Sequence, residues 1–418
     1  MNISRRNLSK LITSGVILPN TVFAQQQTTN ERKFLFLFCD GGWDPTFVFA
    51  PLFGNPNVDL YGDASSLRLH NMDLVDSEQR PNVRSFFENY GQDTIIVNGI
   101  DLETVSHERG KQTLMTGSSN GLDDWGALIA ASSADNWDPY LVVSGPSFTT
   151  YYPNEIVRVG KRGELSTLLL CEDAISLEGD RRAESLVNSY LHKRADGHVE
   201  KATGEHHQRF AGNYRRSLLE IDRISNHIGD LDLTVDPNNY YGFCEENFME
   251  HTNIMLDCFE QGLIRCGIVE DYGYCGWRWD THYNIVEQSY HFELLFTGLH
   301  QLMNELQTRR DPSGIPLIEN TTIVVLSEMG RHPKINYIGG KDHWPVTSMM
   351  IIGGVDGGRT VGAYTDMITS HPIDPISGQP FANGEKLTAA HIGATLLALA
   401  DTDPGEYLSA QPMLDIIK

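Results

Sequence analysis

The sequence predicts an α/β fold: a doubly wound, mostly parallel sheet with helices on both faces and a helical insertion. Three observations carry this prediction. Short apolar runs recur along the chain without polar alternation, as in strands that are buried on both faces. Longer amphipathic segments separate these runs, which is the pattern of crossover helices. Hydrophobic residues make up 40% of the 418 residues, enough for a deep core.

The predicted strands are short and usually end in glycine or a polar residue. An amphipathic helix is predicted over 290–306, where apolar residues recur at helical spacing directly before one of these strands. The predicted strands are 34–39, 94–98, 140–143, 264–269, 322–326 and 349–352.

Residues 180–262 differ from the rest of the chain. They are rich in Arg, Glu, His and Asn at helical spacing and contain no strand-like run, which predicts a helical insertion or cap on the sheet. No fixed-period repeat or low-complexity linker divides the remainder. We therefore expect a single α/β hydrolase-like domain over 25–418.

The N-terminal segment has the features of an export signal. Arg5-Arg6 precedes a mildly apolar stretch that ends in Ala24, which predicts a twin-arginine signal over 1–24. An anchor helix would need about 20 apolar residues, and Pro19 and Asn20 interrupt this run. We expect the protein to be periplasmic or secreted through the twin-arginine machinery, with no membrane span in the mature chain.

The net charge restricts the classes of partner. Lys and Arg total 32 against 55 Asp and Glu, a formal charge of −23. A chain this acidic repels nucleic acid backbones and anionic lipid. Cations and neutral or locally neutralised ligands are the expected partners, and nucleic acid is not.

Six cysteines in a chain of this length do not predict a disulfide scaffold. No C-x-x-C pair occurs, which disfavours a zinc ribbon or a thioredoxin-type site. An oxidising compartment would permit a bridge among Cys258, Cys266 and Cys275. Burial as small apolar side chains is the alternative for these cysteines.

Carboxylates and imidazoles follow several predicted strands, where loops of an open α/β sheet converge on ligands. This mixture of side chains suits Zn²⁺, Mn²⁺ or Fe²⁺, whereas an all-oxygen set would indicate Ca²⁺ or Mg²⁺. Each residue alone could be a helix cap or a turn residue. The candidate metal ligands are Asp40, Asp280, His282, Glu328, Asp342 and His343.

Ser106 lies at the predicted start of a helix that runs to Thr116-Gly117. The helix field and a nearby divalent ion would favour its alkoxide, which makes it a candidate nucleophile. The alternative is that Ser106 only caps the helix. The chain contains no G-x-S-x-G elbow and no glycine-rich phosphate loop, so the usual serine triad and P-loop chemistries are not indicated.

Five ordered motifs together resemble the secreted proteins that carry domain of unknown function 1501, which usually begin with a twin-arginine signal. That family is similar to the alkaline phosphatase and sulfatase superfamily, a doubly wound α/β fold with a dinuclear metal site. The motifs are 39–44 (CDGGWD), 106–107 (SH), 279–282 (WDTH), 325–331 (VLSEMGR, with KIN at 334–336) and 340–345 (GKDHWP).

The resemblance implies roles for individual residues. Ser106 would be the nucleophile, and Asp280, His282 and His343 would form one metal site. Asp40 and Glu328 would belong to the second, which is one imidazole short because Ser327-Glu328 stands where the superfamily has an Asp-His pair. The segment that follows Ser106 lacks the Pro and the spacing needed for formylglycine, so a formylglycine sulfatase is not expected.

These observations lead to a functional hypothesis: an exported, metal-dependent hydrolase of phosphate or related oxyanion esters. Arg109 or Arg331 would hold a non-bridging oxygen, unless either forms only a structural ion pair. One or two divalent ions are expected, Zn²⁺ first, with Mn²⁺, Fe²⁺ or Ca²⁺ as alternatives. The substrate would be a small-molecule or polysaccharide-linked ester.

Two alternatives stay open at this point. The first is a non-catalytic, metal-stabilised periplasmic or surface protein on a sulfatase-like scaffold, which binds a partner or polysaccharide through 180–262. The second is a secreted structural factor without metal, in which Asp280, His282 and His343 would be capping and core residues.

Overall fold

The computed structural model describes residues 31–133, 139–159, 181–204 and 247–418, together with 206–208, 210–212, 214–215, 218–219 and Cys244. The predicted export signal, 1–24, lies outside the described residues. Among the helices that are described, none combines the length and hydropathy needed to cross a membrane.

The strands, in chain order, are β1 (Lys33–Cys39), β2 (Ser65–Leu69), β3 (Met72–Asp76), β4 (Thr94–Asp101), β5 (Tyr140–Val142), β6 (Ile156–Arg158), β7 (Cys266–Asp271), β8 (Thr321–Leu326), β9 (Gly330–Arg331), β10 (His343–Trp344), β11 (Val346–Ile352) and β12 (Arg359–Gly362). The helices are α1 (Pro81–Tyr90), α2 (His107–Thr116), α3 (Trp125–Ala131), α4 (Arg181–Lys201), α5 (Met249–Glu260), α6 (Glu287–Thr308), α7 (Leu317–Asn320) and α8 (Ala389–Leu399).

The central sheet has eight strands in the order β12-β4-β11-β8-β1-β7-β5-β6. Its strand pairs are parallel except those of β11, which runs antiparallel to both β4 and β8. Each of the six predicted strands corresponds to a strand of this sheet, and α6 covers the helix predicted over 290–306. The doubly wound, mostly parallel α/β fold is therefore confirmed.

Both faces of the sheet are buried, and β1 shows why the strands lack polar alternation. Leu35 and Leu37 point into one apolar cluster, which contains Leu295 and Leu299 of α6. Phe34, Phe36 and Phe38 point into a second cluster on the opposite face, packed beneath α3 and α8. All of these side chains are fully buried. Because successive strand residues face opposite ways, a strand covered on both faces must be apolar throughout.

The predicted insertion, 180–262, is described only in part. It contains α4 and α5, and α5 does not lie at the periphery. Its Met255 and Phe259 are fully buried in the cluster shared with α6. The packing of α5 makes it one of the helices that cover the sheet, and the insertion boundaries stay a prediction.

Of the two alternatives for Cys258, Cys266 and Cys275, burial holds for the first two and a disulfide for the third. The described disulfide joins Cys244 to Cys275. Cys258 lies in α5 and Cys266 in β7, where both are buried free thiols. Their positions in the core, set by helix and strand packing, separate them from Cys275 in the loop after β7.

The reversed direction of β11 brings an additional loop to the carboxyl edge of the sheet. Val346, the first residue of β11, pairs with Asp101, the last residue of β4. The Leu102 N–H donates to the Pro345 carbonyl at 2.9 Å. The residues that precede β11, including His343, therefore lie beside the segment that leads into α2.

Helix α2 packs closely against the end of β8. A Cβ atom at Gly110 would lie 2.5 Å from the backbone oxygen of Glu328, nearer than any ordinary van der Waals contact. Only glycine permits this approach, so Gly110 sets the distance between α2 and the carboxyl edge of the sheet.

We expect Gly110→Ala to lower the free energy of unfolding by about 1–3 kcal/mol, because the added methyl group must push α2 away from Glu328. Gly197→Ala in α4 is the control, since no described atom lies within 4 Å of the new Cβ. There the higher helix propensity of alanine should stabilise the protein by up to about 1 kcal/mol. Denaturant unfolding of both variants tests this, and equal effects would contradict the packing argument.

Candidate metal centre

Asp280 is positioned by the loop between β7 and α6. Its neighbour Trp279 is fully buried, and the indole Nε1 donates to Asp271 at 2.9 Å. The Trp279 N–H donates to the carbonyl of Asp40 at 3.0 Å, which fastens the loop to the end of β1. Gly41, at φ +124°, permits this contact because a Cβ there would lie 2.5 Å from the Asp280 nitrogen.

Three imidazoles converge on the Asp280 carboxylate. The Nε2 atoms of His282 and His343 are 2.8 Å apart. Asp280 Oδ1 lies 3.3 Å from His282 Nε2 and 3.4 Å from His343 Nε2. His107, the first residue of α2, places its Nε2 3.5 Å from Asp280 Oδ2. The ligand atoms of His107, Asp280 and His343 therefore surround a common point, with His282 beside it.

The other nitrogen of each ring, Nδ1, meets an oxygen acceptor on the outer side. Ligand histidines in metal sites are held in this way, because the acceptor sets the tautomer and orients the ring. The pairs are His107 with Glu328 Oε1 at 2.7 Å, His343 with the Val105 carbonyl at 2.8 Å, and His282 with Asp342 Oδ1 at 3.3 Å.

The tautomers set by these acceptors fit a metal ion. A carbonyl can only accept, so His343 must carry its proton on Nδ1, and the carboxylate of Asp342 favours the same for His282. The Nε2 atoms of these two rings then face each other at 2.8 Å, where either a shared proton or a metal cation would hold them. His107, Asp280 and His343, with His282 beside them, are the residues that could hold the ion. Imidazole with one carboxylate suits Zn²⁺ first.

The same contacts shift the pKa values of the cluster. Burial raises the pKa of Asp280, but hydrogen bonds from His107 and His343 and the Arg331 guanidinium outweigh it and hold the pKa well below its usual range. Hydrogen bonds to Asp280 and Glu328 raise the pKa of His107 to about 9. The Asp280 carboxylate is thus ionised at every physiological pH, as a metal ligand must be.

Of the sequence-predicted ligands, Asp280, His282 and His343 are brought together. Asp342 is placed differently: its side chain is 64% exposed, and it lies behind His282, away from the common point. Its Oδ1 also accepts from Asn336 Nδ2 at 3.1 Å. The position of Asp342 suits it to orienting His282.

Glu328 and Asp40 also lie outside the point where the imidazoles meet. Glu328 is fully buried and accepts from the Gly41 N–H at 2.9 and 3.2 Å as well as from His107. Asp40 is 2% exposed and is held by the cations Lys111 and Arg278. The oxygens of both carboxylates are engaged by these protein donors.

The two candidate arginines differ sharply. Arg331 is 1% exposed, and its guanidinium donates to the Gly42 carbonyl at 2.8 Å, to the Lys341 carbonyl at 3.2 Å and to Asp280 at 2.7 Å. These contacts tie three loops together and leave little donor capacity for a substrate. Arg109 is exposed on α2 and has no hydrogen bond or ion pair with any residue that the structure describes.

Ser106 occupies the N-cap position of α2, with φ −95° and ψ 128°. Its side chain forms no capping hydrogen bond, although its carbonyl accepts from the Gly110 N–H at 2.7 Å. The residue is exposed. The hydroxyl group is therefore not consumed by capping the helix.

His107 is not among the metal ligands that the sequence predicts. In the sequence, the predicted second metal site lacks an imidazole at the position after β8. In the structure, His107 of α2 places an imidazole against Glu328. The available signal was its place directly after Ser106 at a predicted helix start. Helix spacing also puts Lys111, four residues later, on the same face.

We expect the protein to bind one Zn²⁺ ion per chain at this cluster. His107→Ala and the double variant His282→Ala, His343→Ala should each lose bound metal, because each removes ring nitrogens that face Asp280. Glu328→Gln should weaken metal affinity by about 10–100-fold, through the loss of the acceptor that orients His107.

Elemental mass spectrometry and chelator competition measure these effects. His207→Ala is the control, since His207 is exposed and lies in the helical segment. Unchanged metal affinity in His107→Ala would contradict its assignment as a ligand.

Comparison with known proteins bears on family and fold. A family model described as protein of unknown function (DUF1501) matches residues 264–383. This segment includes Asp280, His282, Glu328 and His343. It begins after β1 and α2, which the match does not cover. A search of curated protein sequences finds no match.

Several solved structures are similar at low sequence identity. BT4656, solved with its substrate D-glucosamine-2-N,6-O-disulfate, is 10% identical over 93% of this chain and 80% of its own, with a TM-score of 0.35. The phosphonate monoester hydrolase of Agrobacterium radiobacter is 13% identical over 92% and 77%, with a TM-score of 0.34. The PsFucS1 sulfatase from Pseudoalteromonas sp. is 10% identical over 93% and 76%, with a TM-score of 0.32.

Proposed function

We propose that the protein is a metal-dependent hydrolase of phosphate or related oxyanion esters. The observation that carries this proposal is the convergence of three imidazole Nε2 atoms on Asp280 at the carboxyl edge of the sheet. Ser106 directly precedes one of these histidines, His107, in the chain. Hydrolysis of such esters requires a cation to neutralise the oxyanion and an activated oxygen nucleophile. Both requirements could be met here by adjacent residues.

The protein side chains would hold and orient the ion. His107, Asp280 and His343 offer ligand atoms that lie within 4.8 Å of one another, and Glu328 and Val105 fix two of the rings from behind. A bound Zn²⁺ supplies Lewis acid polarisation of the ester oxygen and lowers the pKa of an attacking hydroxyl group.

Ser106 is the proposed nucleophile. It precedes His107 directly, its hydroxyl is not used in capping, and the positive end of the α2 dipole favours an alkoxide at this position. Arg109 lies three residues later, on the same side of the first turn. Because Arg109 is exposed and unpaired within the described chain whereas Arg331 is buried and engaged, we assign oxyanion binding to Arg109.

Export of the protein belongs to the same proposal. It rests on the twin-arginine pattern in residues 1–24. The Cys244–Cys275 disulfide supports it, since disulfides persist in oxidising compartments such as the periplasm. A periplasmic or secreted location would give the enzyme access to small-molecule or polysaccharide-linked esters.

Ser106→Ala should reduce kcat for a phosphate ester by at least about 10³-fold while metal content stays unchanged, because the variant lacks the nucleophile and keeps the ligands. Initial rates on p-nitrophenyl phosphate, a phosphodiester and a sulfate ester, with Zn²⁺-loaded protein, measure this. Ser119→Ala, which removes an exposed hydroxyl just beyond the other end of α2, is the control. Unchanged activity in Ser106→Ala would remove the serine from the mechanism in favour of water.

A second candidate function is non-catalytic binding of an anionic polysaccharide through the helical segment. A cavity of about 530 Å³ there is lined by cationic and aromatic side chains, although the chain as a whole is acidic. Guanidinium and ammonium groups bind sulfate, and aromatic rings pack on sugar faces. The lining residues include Arg194, His198, Lys201, His207, Phe210 and Tyr214.

If this cavity binds a sulfated polysaccharide, the double variant Arg194→Ala, Lys201→Ala should weaken affinity by about 10–100-fold, because two charge-assisted hydrogen bonds are lost. Wild-type affinity should also fall as salt rises. Calorimetry with chondroitin sulfate tests this, with Arg68→Ala as the control for a cation in an exposed ion pair elsewhere. Strong binding combined with no turnover of any ester would favour this function over hydrolysis.

A further inference from the structure

The carboxylate of Asp40 has cations on both of its oxygens. Lys111 Nζ lies 2.7 Å from Oδ1, and the Arg278 guanidinium donates to Oδ2. Asp40 is 2% exposed, and only 17% of the Lys111 side chain is accessible. Each oxygen of this carboxylate is therefore already paired with a cation of the protein itself.

The helical spacing of α2 explains how Lys111 reaches this position. Lys111 follows His107 by four residues, so the two side chains lie next to each other on one face of the helix. His107 points toward Asp280 and Glu328, and Lys111 toward Asp40. Glu270 and Glu328 are also near enough to attract the Lys111 ammonium. One helix face thus supplies an imidazole to the metal cluster and a cation to the neighbouring carboxylates.

Arg278, the second cation beside Asp40, lies at a strained backbone position. Arg278 has φ +63°, in the left-handed region that non-glycine residues rarely adopt. Its guanidinium also lies 5.6 Å from the centre of the Tyr272 ring. Such backbone strain persists only where the surrounding structure holds it, and it is frequent at functional sites.

Glu328, the other residue expected at a second metal site, also has both of its oxygens engaged in hydrogen bonds. Its oxygens accept from the Gly41 N–H and from His107 Nδ1, and the side chain is fully buried. The residues around Asp40 and Glu328 therefore do not fit a second divalent ion. Two fixed positive charges beside Asp40 would also repel a dication at short range.

We propose that Lys111 and Arg278 together take the place of a second divalent ion, so that the protein works with one metal ion bound by His107, Asp280 and His343. This inference rests on the proposed metal-dependent function. It assigns the positive charge beside Asp40 to the protein and makes Lys111 and Arg278 positioning residues for an anionic ester.

Metal stoichiometry tests the inference. After saturation with Zn²⁺ and removal of the excess, elemental mass spectrometry should find one equivalent in the wild type. The double variant Lys111→Ala, Arg278→Ala should hold two equivalents, because Asp40 and Glu270, which is in side-chain hydrogen-bond contact with it, are then free to bind an ion. Adding Asp40→Asn to this variant should restore one equivalent, since the freed ligand is removed. Two equivalents in the wild type, or one in the double variant, would overturn the inference.

A second measurement does not depend on variants that could misfold. Anomalous diffraction at the zinc edge from wild-type crystals should show one peak, which lies beside His343. The electron density should show the ammonium group of Lys111 beside Asp40. An anomalous peak at Asp40 would overturn the inference. One equivalent of metal without ester hydrolysis would remove the proposed function and leave the inference standing. Two equivalents of metal together with ester hydrolysis would overturn the inference and leave the proposed function standing.

Discussion

The arrangement of the site depends on one buried carboxylate. Glu328 is fully inaccessible to solvent, and a charge in such a place is strongly unfavourable unless it is hydrogen-bonded. Its partners are the Gly41 N–H, in the turn after β1, and Nδ1 of His107, at the start of α2. Because Glu328 must be hydrogen-bonded, the ends of β8 and β1 are held against the first turn of α2. Gly110 permits the same contact by letting the helix backbone approach the Glu328 carbonyl.

Local charge pairing, not the net charge, decides the chemistry at this edge of the sheet. The chain carries a formal charge of −23, yet Lys111, Arg278 and Arg331 are all directed at carboxylates or carbonyls of the site. Arg331 is buried and binds Asp280 together with backbone oxygens, so it maintains the shape of the loop that carries Asp280. These ion pairs balance the carboxylates at this edge of the sheet.

The direction of β11 shows where prediction from local pattern stops. Its apolar run was predicted as a strand, but nothing in the run indicates whether it pairs parallel or antiparallel with its neighbours. Because it is antiparallel to β4 and β8, the loop before it lies at the carboxyl edge and brings His343 to Asp280. The prediction that Asp280, His282 and His343 cluster agrees with the geometry, although it assumed that all of the ligand residues follow strands.

The sequence by itself determined six of the eight strands of the central sheet, the α6 helix and the set of polar residues that border the sheet, because burial on both faces requires continuous apolar runs and loops take up the polar residues. Tertiary structure alone decided that His107 faces Asp280, that Lys111 and Arg278 occupy both sides of Asp40, and that Cys244 pairs with Cys275. Each of these depends on contacts between segments far apart in the chain. Their distances are set by the packing of helices against the sheet, which no local pattern encodes.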